Sequence, residues 1–202
     1  MKTPILAAAF ATSFVPAFAP AAFAETWGMD PTHTEVLISW NHAGFSIQTA
    51  KFLEFDGTLE FTPGDVANAS ADFSVKVASV HTGVDAFTGH LLGGGFFDAE
   101  AYPEITFVST SVEQTGDMSA MVTGDMTVKD VTKPVTFDVT VHSLGEHPAG
   151  RFAEPYEGEW LGFTAVADIK RSDFGVDAFI PVGSDEVTIT INSEMRAGGF
   201  SF

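Results

Sequence analysis

Val135-Thr136-Phe137-Asp138-Val139-Thr140-Val141-His142 decides the fold class. Apolar and polar residues alternate without a break, and successive side chains of an extended chain point to opposite faces. The stretch is a strand with one buried and one wet face, as in an antiparallel sheet. The same period recurs on both sides of it. Phe73, Val75 and Val77 alternate with Ser74, Lys76 and Ala78, and Val187, Ile189 and Ile191 alternate with Thr188, Thr190 and Asn192. Residues 35–43, 50–61, 104–113, 118–129 and 160–170 read as five further strands, with Val36, Ile38 and Trp40 on one face of the first. Gly57 lies inside 50–61 and predicts a bulge or bend there. Residues 145–159, with Pro148, Gly150, Pro155 and Gly158, read as a long loop. One segment has a different period: Val84, Phe87, Leu91 and Leu92 predict a short helix over 84–92, stopped by Gly93-Gly94-Gly95. Eight short strands between turn signals, with one short helix, predict an all-β sandwich or barrel.

The ends and the composition bound the rest. Lys2 is the only charge before Glu25, residues 5–23 are apolar, and Ala22-Phe23-Ala24 closes the run. A basic start, an apolar middle and a small-x-small ending predict a signal peptide over 1–24, cleaved after Ala24. Residues 25–202 then form one domain, and no second apolar run is long enough to span a bilayer. Without cysteine, disulfides and thiolate chemistry are excluded. All 27 acidic residues follow the leader, against eight Lys and Arg, so the expected mature charge is −19 with His neutral. That charge argues against nucleic acid and against a polybasic membrane patch. Of 20 phenylalanines, 16 lie after the leader. Phe needs no polar partner when buried, so the interior is expected to be dry, as a solid core or as the lining of a cavity.

Catalytic signals are absent. The six histidines, His33, His42, His81, His90, His142 and His147, form no His-x-x-x-His or His-x-His pair, and no metal site is expected. There is no Gly-x-Ser-x-Gly elbow and no phosphate loop. The chain reads as a non-enzyme without a cofactor. Lys170-Arg171 is a rare cationic pair in so acidic a chain. Arg171 has two readings: a tie to a carboxylate or to loop carbonyls at the barrel mouth, or a contact to a polar ligand head.

Several segments, taken in order, resemble one family. Asp30-Pro31-Thr32-His33-Thr34 with a later His42 is similar to its opening Asp-x-x-His-Ser/Thr and second His. Lys51-Phe52-Leu53-Glu54-Phe55-Asp56-Gly57 resembles its Gly-x-Phe-x-x-Phe-x-Gly strand. His90-Leu91, Phe96-Phe97-Asp98, Tyr102-Pro103-Glu104-Ile105-Thr106-Phe107 and Ser109-Thr110 resemble its central block. Gly124, Met126-Thr127-Val128 and Val131-Thr132-Lys133-Pro134-Val135 follow, then Arg171-Ser172-Asp173-Phe174-Gly175 and Val182-Gly183-Ser184-Asp185-Glu186-Val187. The chain over 27–195 thus resembles the YceI-like proteins, periplasmic polyisoprenoid-binding proteins of bacteria. It departs from them at Phe87-Thr88, where the family has Arg-Asp, and at Asp130, where it has Gly. Its second strand also lacks the opening Gly, with Ala50 or Lys51 in that place.

The resemblance implies a lipocalin-like eight-stranded antiparallel β-barrel with a short helix. It implies a periplasmic protein that holds a long isoprenoid, a polyprenyl quinone or polyprenyl phosphate, for transport or storage. The inward faces then offer Val36, Ile38, Trp40, Phe73, Val75, Phe107, Phe137, Val139, Phe163, Val187 and Ile189 as apolar lining, with Phe87 and Leu91 from the helix. His33, His42, His90 and Arg171 are the candidates for a polar head group. The family is often dimeric, which makes a homodimer an expectation, although the sequence has no interface signal of its own. Three alternatives stay open: a binder of another amphiphile such as a fatty acid or its amide, an enzyme acting on a quinone or lipid, and a structural protein without a ligand. The Phe87-Thr88 departure motivates the first.

Overall fold

The computed structural model describes residues 24–200. The leader expected over 1–24 lies, but for its last residue, outside them. Eleven strand segments and one α-helix follow in order: β1 (Glu25–Met29), β2 (Glu35–His42), β3 (Ser46–Phe52), β4 (Phe55–Phe61), β5 (Ser70–Lys76), β6 (Val80–His81), α1 (Asp85–Leu92), β7 (Glu104–Gly116), β8 (Ser119–Val128), β9 (Val131–Glu146), β10 (Glu159–Lys170) and β11 (Gly183–Ala197). Neighbours pair antiparallel in the order β1-β4-β5-β7-β8-β9-β10-β11, and β11 pairs back onto β1. The ring is therefore closed. β2 continues along β11 where β1 leaves off, and β3 pairs with β2. β1 and β2 are two halves of one stave bent at 30–34, and β3 and β4 are two halves of the next, bent at 53–54. The eleven segments thus make an eight-stranded antiparallel barrel with one helix, and where β1 closes the ring no edge is left to protect.

The wall has one gap. On its outer side β3 is paired only by β6, through Lys51 and Phe52. Leu91 of α1 packs there with Val36, Ala50, Phe52 and Val80, and Phe97 from the following loop meets Phe52 edge-on at 6.0 Å. The helix spans Asp85–Leu92 with Val84 at its N-cap, as the spacing predicts.

Some expectations are corrected. β1 was not among the eight strands read from the sequence, because five residues around Gly28 give too short a pattern. The expected strand 50–61 begins earlier and breaks. The expected loop 145–159 starts within β9 and contains two 3₁₀ turns, Pro148–Arg151 and Glu154–Tyr156. Gly57 marks no bulge: it pairs with Phe73 in regular register. A methyl at that position would stand 2.0 Å from Cδ1 of the Phe73 ring. The glycine is there so that an aromatic ring can lie against the backbone.

The two ends of the barrel differ. At one end Trp27, Phe61, Leu161, Phe163 and Met195 are buried in a continuous core, with Trp27 and Met195 fully inaccessible. The Trp27 indole N–H donates to the Phe61 carbonyl at 3.0 Å, so its one polar atom is satisfied. At the other end the interior is not filled.

Candidate functional site

The unfilled end is a cavity of about 390 Å³. That falls within the ~300–1,000 Å³ of typical small-molecule sites. Its walls come from the expected faces. β2 contributes Val36, Ile38 and Trp40, β5 contributes Phe73 and Val75, and β11 contributes Val187 and Ile189. Phe107 of β7 and Phe137 of β9 meet edge to face at 5.2 Å and also line it. Phe87 and Leu91 of α1 complete the predicted set. Phe87, where the family has Arg, packs edge-on against Trp40 at 5.9 Å. Thr88 is committed to the loop before the helix: its Oγ1 accepts from the Thr82 N–H at 3.1 Å and lies 3.0 Å from Thr82 Oγ1. The departure therefore replaces charge by an aromatic wall and a local hydroxyl lock.

Val139 and Phe163 are not in the lining. They share the inward period, but Phe163 belongs to the packed end and Val139 packs against that core. Period two distinguishes inside from outside and carries no information about depth along the barrel. The lining also includes Phe52, Phe96, Phe97, Met126, Val128, Ile169, Phe174 and Phe179, which sequence reasoning did not name as lining. Met126 and Val128 alternate and were legible as an inward face. Phe96 and Phe97 follow a glycine turn, where no period exists to place them.

His42, His90 and Arg171 lie at this cavity, and His33 does not. Arg171 is tied to the loop before β11 and to the start of that strand: Nε donates to the Ser184 carbonyl at 2.9 Å, Nη1 to the Val176 carbonyl at 2.7 Å and Nη2 to the Gly183 carbonyl at 3.1 Å. Burial pushes its guanidinium below the ordinary arginine value, against the opposing charges of Asp185 and Asp177. Phe96 bridges two of the three groups. Its ring lies 5.8 Å from Arg171 Cζ and 4.8 Å from the His90 ring, whose other neighbour is Phe179 at 5.7 Å. Gly183 bridges Arg171 to β2, where it pairs with His42.

His33 belongs to a second cluster, where the first stave bends. Asp30 is fully buried; its Oδ1 accepts from the Thr32 N–H at 2.8 Å and from Thr32 Oγ1 at 2.7 Å, and its Oδ2 meets His33 Nδ1 at 2.7 Å. The Asp30 N–H donates to the Glu194 carbonyl, fixing the bend to β11. Burial alone would raise the Asp30 carboxyl, but its hydrogen bonds to His33 and Thr32 and the His33 charge hold it below the usual range. His33 is held above its usual value by the hydrogen bond to Asp30, opposed by partial burial and supported by the charges of Asp30 and Glu194. Asp30, His33 and Glu194 can bring one ligand atom each within 4.8 Å. Both carboxylate oxygens of Asp30 already have partners within the bend, so the cluster reads as a brace for it. A histidine–carboxylate pair thus exists, but outside the cavity.

The comparisons with known proteins agree with this architecture. Residues 27–195 match the YceI-like domain. The chain belongs to this family. Protein YceI of Escherichia coli is 31% identical over 194 residues, covering 96% of this chain and 97% of that protein. BcnA of Burkholderia cenocepacia superposes with a TM-score of 0.72 at 28% identity, over 82% of this chain and 98% of that one. A polyisoprenoid binding domain from Saccharophagus degradans has the same fold, with a TM-score of 0.64 at 15% identity over 87% of this chain and 99% of that one. Among the described residues no helix is long and apolar enough to cross a membrane.

Proposed function

We propose that this protein is exported and holds the apolar tail of an isoprenoid lipid, for transport or storage in the periplasm. The observation that carries the reading is an apolar cavity of about 390 Å³ at one end of a barrel whose other end is packed solid. The polyisoprenoid binding of the Saccharophagus degradans domain supports the ligand class, and the leader-like first 24 residues support export. The apolar walls are the tail contacts, and the three basic groups are the head contacts. Each buried CH₂ is worth ~0.8 kcal/mol, so a few isoprene units suffice for tight binding with little head-group help. Affinities saturate near −18 to −21 kcal/mol, because ordering the tail offsets part of the gain. A polyprenyl quinone and a polyprenyl phosphate both satisfy these terms.

The test is mass spectrometry of an organic extract from protein purified after export. The expected result is one prenyl lipid in stoichiometric amount. Repeated extraction of empty protein would overturn the reading. A fatty acid or its amide in the extract would favour the second reading, for which the aromatic Phe87 wall is the motivating feature.

A further inference from the structure

The mouth of the cavity carries apolar side chains outward as well as inward. Phe179 and Val182 line the cavity, yet they are 65% and 52% exposed. Phe45, at the turn between β2 and β3, is 92% exposed, and Ile47, two residues on, is 64% exposed. The two segments form one rim, because the Ala43 N–H donates to the Val182 carbonyl at 2.7 Å. Phe179 is held there at φ +59°, a left-handed backbone that a bulky residue rarely adopts. Its ring stacks on that of Phe96, 6.2 Å away, which also lines the cavity. Negative charge is kept off the same rim. Residues 36–53 and 178–184 contain no Asp or Glu, in a chain with 27 of them and a formal net charge of −18. The charge of Arg171, at the cavity, is opposed by those of Asp185 and Asp177, so the rim offers apolar contact rather than a basic patch.

We infer that this rim docks on a membrane surface, with Phe45, Ile47, Phe179 and Val182 set among the lipids and the cavity mouth facing the bilayer. The inference rests on the lipid-holding reading above and adds the route by which the cavity is filled. Exposed apolar patches mark sites where a protein, a membrane or a ligand is met. Two features make the partner here lipid. The apolar surface runs from the rim into the cavity through Phe179 and Val182, so a tail leaving a bilayer stays on apolar surface until it is enclosed. An acid-free rim also lets a chain of this charge approach phospholipid phosphates with the least repulsion. Docking held by apolar insertion needs no basic patch and is insensitive to salt.

The test is flotation of the protein, purified after export and freed of lipid, with phosphatidylcholine vesicles. The wild-type protein should float with them equally in low and high salt. The Phe45→Ser/Ile47→Ser double variant should lose about tenfold or more in vesicle binding. Both residues are exposed and neither lines the cavity, so uptake of farnesol from solution should be unchanged. Trp40 lines the cavity, and its fluorescence reports that uptake. Phe152, 87% exposed beyond β9 at the packed end, is the control: Phe152→Ser should bind vesicles as the wild type does. The inference is overturned by a wild-type protein that does not float, by binding lost in high salt, by a double variant that floats undiminished, or by an equal loss in Phe152→Ser. A wild-type dimer that the double variant turns into monomer in sedimentation would assign the rim to a second copy and overturn it as well. Farnesol uptake in any of these cases leaves the lipid-holding reading standing. Vesicle binding without farnesol uptake would overturn that reading while the docking stands.

Discussion

Replacing Gly57 by alanine tests the link between the barrel wall and the cavity. Gly57 on β4 faces Phe73 on β5, and the Phe73 ring lies over it. An alanine methyl would stand 2.0 Å from Cδ1 and 2.4 Å from Cε1 of that ring, and 2.9 Å from the Met29 sulfur. Carbon atoms need ~3.5 Å, so the ring must move by roughly 1.5 Å. It moves toward empty space, and Phe73 borders the cavity. Overpacking costs ~1–3 kcal/mol. The cavity lets the ring relax without moving backbone, and losing a glycine from the unfolded chain returns ~0.4–1 kcal/mol. A net loss of about 1–2 kcal/mol is expected, which for a domain of this size lowers Tm by roughly 2–8 °C. Lipid affinity should fall about tenfold or more, because the displaced ring occupies ligand space. Thermal melts with and without ligand, and a Trp40 fluorescence titration, measure both. Adding Phe73→Leu should restore the melting temperature by removing the clashing ring. A Gly57→Ala protein with unchanged melting and unchanged affinity would refute the argument that this glycine seats the ring.

The brace at the first bend makes stability pH-dependent. His33 is raised, so its contribution is complete below about pH 6.5 and is lost as pH rises through its folded value; Asp30 is lowered, so its contribution is complete above about pH 4 and is lost as pH falls through its folded value. Denaturant midpoints should therefore decline from pH 6.5 upward, and a His33→Gln variant that declines by the same amount would sink this assignment. Gly89 sits within α1 with nothing within 4 Å of an added methyl. Gly89→Ala should stabilise by ~0.5–1 kcal/mol in chemical denaturation, and a loss of stability would show the site is not open. Val75→Phe should fill cavity space, abolishing lipid uptake in the fluorescence titration while leaving Tm within a few degrees. Trp27→Ala should do the reverse: a loss of ~3–5 kcal/mol in a urea melt, with lipid affinity kept wherever the protein remains folded.

The inside faces were legible wherever a strand kept period two for several residues. Val135 to Val141 and Val187 to Thr190 alternate in the sequence and again in burial. The bend at 30–34 was legible only as a motif, Asp30-Pro31-Thr32-His33-Thr34, because its role is hydrogen bonding rather than patterning. Nothing local could separate Phe137, which lines the cavity, from Phe163, which fills the packed end. The difference is axial position, set by the register of β9 on β10 and β10 on β11. Arg171 was legible as an unusual cation. A tie to carbonyls at the barrel mouth was one of its two readings, and the structure bears it out; which carbonyls, those of Val176, Gly183 and Ser184, was not legible, because they return beside it only after the chain turns.

One barrel gives both a solid core and a cavity because its perimeter changes along the axis. An eight-stranded barrel is just wide enough for side chains to fill. At the packed end the staves are continuously paired, β1 joining β4 and β11, and large side chains meet across the middle: Trp27, Phe61, Phe163 and Met195. At the other end the wall leaves its hydrogen-bonded ladder. β3 has a partner only at Lys51 and Phe52 on its outer side, and α1 with Phe96 and Phe97 is inserted where a strand would otherwise continue. A helix is ~10 Å across, about twice the spacing of neighbouring strands, so inserting one widens the ring. The residues facing inward there include Val36, Ile38, Val75, Val187 and Ile189, which are too small to reach across the added width. The cavity is therefore a consequence of the break in the ladder. A wall held by side-chain packing can yield without breaking strand hydrogen bonds, so α1 and its glycine turn should show the fastest amide exchange of the wall and slow on lipid binding. Uniform protection of α1 and β9 in lipid-free protein would mean that this wall is as fixed as the ladder.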